Sequence, residues 1–103
     1  MSYPTSPTFI ADHIIRSGRY PKGKYTFIIL GKVGPTGKTW LLNRLRENGY
    51  RAIEITDAIY DLVDYKDDRN HIMEDELTDT VTIVLNHRLP SCAFRDGKLE
   101  REV

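Results

Sequence analysis

Apolar and polar positions along this chain follow two periods, one strand-like and one helical, and turn residues separate the stretches. Residues 25–30, Tyr25-Thr26-Phe27-Ile28-Ile29-Leu30, are almost continuously apolar, the pattern of a strand covered on both faces in a parallel sheet. Residues 38–48 repeat at helical spacing. Leu41, Leu42 and Leu45 form the core stripe, Arg44, Arg46 and Glu47 lie toward water, and Gly49 follows as a helix-ending residue. Residues 51–56 alternate, with Ala52, Glu54 and Thr56 opposite Ile53 and Ile55, which predicts a second strand. Residues 80–85 are rich in β-branched side chains and predict a third.

The remaining signals are shorter. Ser6-Pro7 reads as an N-cap followed by a first-turn proline, opening an amphipathic helix over 8–17 with Ile10, Ile14 and Ile15 on one face and Gly18 at its end. Tyr20-Pro21-Lys22-Gly23 is a turn. Residues 57–64 have helical spacing, with Ile59, Leu62 and Val63 opposite Asp57, Asp61 and Asp64. Residues 71–79 fit a short strand or a turn of helix equally well. Asp96-Gly97 between Phe94 and Leu99 marks a hairpin turn.

Strand, helix and strand in close succession imply a right-handed crossover and a parallel pair. The expected fold is therefore one α/β domain over residues 1–103, organised on the unit 25–57. It has a small, mainly parallel sheet of three or more strands with 80–85 central, flanking helices in two or three layers, and a C-terminal hairpin at an edge. A chain of 103 residues holds one modest core and leaves no room for a separate substrate domain.

Composition narrows the setting. Cys92 is the single cysteine, so this chain alone forms neither a disulfide nor a thiolate zinc cluster, as suits a reducing compartment. The longest wholly apolar run is 27–30, far below the ~20 residues that span a bilayer. Met1-Ser2-Tyr3-Pro4 lacks the basic start of a signal peptide. A cytoplasmic protein without membrane contact is expected. Net charge is zero but unevenly spread: residues 1–53 carry nine Lys/Arg against two Asp/Glu, and residues 54–103 carry six against thirteen. Mutual attraction of the halves within one fold is favoured over separate anionic and cationic partners.

The chemistry gathers in Gly31-Lys32-Val33-Gly34-Pro35-Thr36-Gly37-Lys38-Thr39, which follows a strand and opens a helix. Glycines allow a tight turn and close approach to a ligand, and the free N–H groups at a helix start favour an anion. The ending Gly37-Lys38-Thr39 resembles the Walker A motif of P-loop NTPases. That resemblance implies a phosphate lysine at Lys38 and a magnesium hydroxyl at Thr39. The family places its first glycine at the position of Lys32, whereas Gly31 stands one residue early, and the apolar run 82–85 ends in Asn86 where the family commonly has Asp.

The spacing Gly31-x-x-Gly34-x-x-Gly37, with residues 45–53 after it, is also similar to Rossmann-like domains of the extended short-chain dehydrogenase type. Asp57 lies about twenty residues beyond, where that resemblance implies a ribose contact. No Tyr-x-x-x-Lys pair follows the loop; Tyr20 and Lys24 have that spacing but precede it.

The candidate binding residues are thus Gly31, Gly34, Thr36, Gly37, Lys38, Thr39 and Asp57, for a phosphate or a nucleotide with Mg²⁺. Asp57 also reads as a cap of the next helix. Enzymatic turnover is not expected, because no catalytic constellation is complete. Asp61, Asp64, Asp67 and Asp68 lack the spacing of a calcium loop, and His71-x-x-Glu74 has no second ligand pair. Arg16, Arg19, Lys22 and Lys24 interleave with Tyr20 and Tyr25, a pattern suited to single strands, yet the neutral total argues against strong nucleic-acid binding. The alternative function is an interaction or self-associating module, using the charge asymmetry or a sheet edge near Phe94 and Leu99, with a purely structural loop.

Overall fold

The computed structural model describes residues 6–32, 34–55, 69–89, 94–95 and 98–99. Helix α1 (Pro7–Arg16) opens as its sequence dictates: the Ser6 hydroxyl accepts the Phe9 N–H at 3.1 Å and Pro7 occupies the first turn. Strand β1 (Thr26–Gly31) follows, then α2 (Lys38–Glu47) and β2 (Arg51–Glu54). Next come β3 (His71–Asp75), β4 (Thr80–Leu85) and two short strands, β5 (Phe94–Arg95) and β6 (Lys98–Leu99).

The main sheet has the order β2-β1-β4-β3. β1 runs parallel to β2, with Phe27 beside Ala52, and parallel to β4, with Phe27 beside Val81 and Gly31 beside Leu85. β3 lies antiparallel to β4 as a hairpin partner, so the sheet is mixed rather than uniformly parallel. The ambiguous stretch 71–79 resolves into this edge strand and its turn. β4 is central, as expected. β5 and β6 pair with each other, Phe94 with Leu99, in a separate two-stranded sheet and not along an edge of the main one. The helix expected at 57–64 lies outside the described residues.

Strand alternation sorts the two faces. Phe27, Ile29, Ala52, Val81, Ile83 and Leu85 meet Ile10 and Ile14 of α1 and Leu41 and Leu45 of α2 in the larger core. Both helices therefore cover one face. Leu30, Val84, Ile28 and Ile55 form a smaller cluster on the other. Apolar contact on both sides of β1 and β4 explains why their sequences are nearly continuous in hydrophobics. Among the described residues, no helix is long and apolar enough to cross a membrane.

The start of β1 is braced by aromatic side chains: Tyr20 packs edge-on against Tyr25 and Phe27, and Phe27 against Tyr50. The buried Tyr20 hydroxyl donates to the Glu74 carboxylate, which also accepts from Arg19 at 3.1 Å. These bonds tie the α1–β1 connection to edge strand β3.

Candidate functional site

The carboxyl ends of β1 and β4 lie side by side, because the parallel register carries Gly31 to Leu85. Their backbones come so close that a Cβ on Gly31 would sit 2.1 Å from the Leu85 carbonyl oxygen. The first glycine of the loop is thus required by strand packing. Lys32 N–H then donates to the same carbonyl at 3.3 Å.

The chain turns back through residues 34–37. Thr36 N–H donates to the Gly34 carbonyl at 2.8 Å. Gly37 caps α2 with φ 92°, a left-handed conformation that glycine adopts without strain. A Cβ there would stand 2.7 Å from Pro7 Cγ, so α1 is seated on this turn. Having no side chain, Gly37 makes no side-chain cap to the first-turn N–H groups of α2.

Lys38 occupies the first position of α2, yet its side chain is only 9% exposed. It folds back over the loop, and Nζ donates to the Lys32 carbonyl and, at 3.0 Å, to Oγ1 of the fully buried Thr36. Burial lowers the Lys38 pKa; Glu54 acts against this and Arg88 adds to it. Beside it, the Thr39 hydroxyl donates to Glu54 Oε2 at 3.4 Å.

The segment after β4 forms the opposite wall. Leu89 N–H donates to the Pro35 carbonyl at 2.7 Å. Arg88 Nε lies 3.5 Å from where a Cβ of Gly34 would be. Asn70 Oδ1 accepts from the N–H groups of Asn86 and His87 at 2.8 and 2.9 Å and so ends the strand. Asn86 is 1% exposed, and its carboxamide has no partner among the described residues.

Gly31, Gly34, Thr36, Gly37, Lys38 and Thr39 thus converge at one edge of the sheet, and Asp57 lies outside the described residues. Two charged residues join them that sequence reasoning did not assign to the site. Glu54 shares a face with Ala52, which packs under α2, so the alternation already aimed its carboxylate at the helix start. Arg88 carried no comparable signal, since its place depends on the pairing of β4 with β1. Among the described residues no three His, Cys, Asp or Glu side chains cluster as a metal site. Compared with known proteins, the chain matches no family model, no curated protein sequence and no solved structure.

Proposed function

We propose that this chain binds the phosphate group of a nucleotide or a smaller phosphate compound at the turn between β1 and α2. The observation that carries this reading is the placement of Lys38. A cation in the first turn of a helix opposes the helix dipole, and withdrawing an ammonium from water is costly unless its charge is answered. Here the ammonium rests on two neutral oxygens in the first turn of a helix whose Gly37 offers no side-chain cap, and Glu54 answers its charge only in part. An anion over the turn answers both the charge and the N–H groups.

The residues also suit a hard divalent cation accompanying the phosphate. Thr39 Oγ1 and Glu54 Oε2 offer two adjacent oxygens beside Lys38, the donor type that Mg²⁺ prefers. When bound, Mg²⁺ would neutralise phosphate charge. Thr39 and Glu54 are the residues to hold it.

The test is an amide-resolved NMR titration of the purified protein with phosphate, Mg²⁺-ATP, Mg²⁺-GTP and NAD, each alone. Saturable shifts centred on 31–39, lost in a folded Lys38→Ala variant, are expected. No shifts at millimolar ligand, or full affinity in Lys38→Ala, would reject the reading. The preferred ligand separates a P-loop mode from a Rossmann mode.

A further inference from the structure

We propose that β3 is a self-association edge: two copies of this chain pair antiparallel through their β3 strands, centred on Met73, and join their sheets into one. The inference is independent of the phosphate-binding reading above.

β3 ends the strand order β2-β1-β4-β3, and among the described residues it has a neighbour, β4, on one side only. Four of its five residues are exposed, and Ile72 alone is half-buried. Its pairing with β4 runs residue for residue from His71 to Asp75 without a bulge, and it contains neither Pro nor Lys. Those are the usual devices that keep an edge from pairing, and an edge without them offers its outer N–H and C=O groups to another strand.

The order of side chains along β3 selects the occupant. Strand alternation puts Ile72 and Glu74 on the helix-covered face, where Ile72 packs against the larger core and Glu74 accepts from Tyr20 and Arg19. His71, Met73 and Asp75 share the other face, with Met73 49% exposed. A second β3 running antiparallel about a two-fold axis at Met73 sets each His71 imidazole opposite Asp75 of the other copy. It also packs the two Met73 side chains together. The bond that Asp75 Oδ1 accepts from Leu77 N–H at 3.0 Å is compatible with this pairing, because a carboxylate accepts several hydrogen bonds. A parallel partner of the same sequence sets acid beside acid.

The helix-covered face adds apolar contact. A groove of about 320 Å³ lies beside the edge, lined by Phe9, Ile10 and His13 of α1 and by His71 and Ile72 of β3. Phe9 is 61% exposed. The two-fold axis brings both grooves together on one face of the joined sheet, and closing them removes apolar surface from water.

The experiment measures the mass of the full chain by sedimentation equilibrium across the micromolar to millimolar range, for wild type, Met73→Lys, His71→Asp and Asp75→His. Folding of each variant is checked by its amide spectrum. Wild type is expected to dimerise reversibly, with concentration-dependent amide shifts along 71–75. Met73→Lys sets two ammonium groups directly opposite each other and should weaken the dimer about tenfold or more. His71→Asp and Asp75→His should each weaken it alone, and mixing the two should restore it, because the mixed pair regains an imidazole opposite a carboxylate at both ends. A wild type monomeric at every concentration would overturn the proposal and leave the edge to an extended peptide of another protein. A dimer indifferent to Met73→Lys would overturn it by placing the interface elsewhere. Weakening by both end variants without recovery in their mixture would overturn the antiparallel register.

Discussion

Lys38 Nζ donates to Thr36 Oγ1 at 3.0 Å, joining the first residue of α2 to the interior of the turn that precedes it. Thr36 is fully buried, so its hydroxyl orders the lysine instead of contacting solvent. Thr36→Val keeps the shape and removes the acceptor. It should cost about 1 kcal/mol in urea denaturation, the usual net worth of one hydrogen bond, and weaken phosphate binding less than Lys38→Ala does. A stability loss with no change in binding would confine Thr36 to a packing role.

Substitutions at two glycines of the loop should separate close packing from backbone conformation. In Gly31→Ala the new methyl meets the backbone of β4, which cannot yield without parting the central strand pair. The cost should be about 3 kcal/mol or more, at the upper end of overpacking effects. In Gly34→Ala the methyl makes ordinary contact with Arg88, 3.5 Å from Nε. The positive φ alone then sets a cost of about 1–2 kcal/mol. Equal midpoints for the two variants in chemical denaturation would contradict the tight β1–β4 approach.

The clasp between Tyr20 and Glu74 should be visible in titration. Burial, then the bond to Glu74, pushes the Tyr20 phenol up to about 12. The bond from Tyr20, with help from Arg19, holds Glu74 below the ordinary carboxylate value. The phenol's contribution is complete below its unfolded pKa near 10 and is lost as pH rises through about 12. The Glu74 contribution is present above the ordinary carboxylate pKa and is lost as pH falls through its lower folded value. Tyr20→Phe should cost about 1 kcal/mol at neutral pH and return the Glu74 carboxyl toward its ordinary titration, followed by NMR. An unmoved Glu74 would mean that Arg19 alone holds it.

Local patterns carried most of the scaffold. The Ser6 cap, the leucine stripe of α2 and the β-branched run of β4 each act within a few residues, and each element formed where its pattern lay. β3 was ambiguous for a physical reason. Its side chains are mostly exposed, so it lacks an apolar alternation, and its strand state comes from antiparallel pairing with β4. The site divides the same way. Lys38 and Thr39 stand beside Gly37 in sequence, whereas Glu54 was not assigned to the site although its alternation with Ala52 carried the signal. Arg88 is more than fifty positions from Gly34 and meets it through sheet register, which no local pattern encodes.

The lowered pKa of Lys38 would give the proposed phosphate site a distinctive pH dependence. Burial favours the neutral amine in the folded chain, while Glu54 partly restores the charge. Between the folded value and the ordinary 10.5, the unfolded chain holds more protons, so this group makes stability rise with pH across that window. Phosphate binding as proposed would have the opposite slope, because the anion would need the ammonium. Affinity should fall as pH rises through the lowered value, and binding within that range should take up a proton as the anion raises the Lys38 pKa. Calorimetry in buffers of different ionisation enthalpy measures that uptake directly, and Lys38→Met should abolish it. Affinity that stays level to about pH 10, where an unperturbed lysine is still largely charged, would contradict the lowered Lys38 pKa, whereas unchanged affinity in Lys38→Met would separate the anion from the buried ammonium and assign binding to the α2 N–H groups.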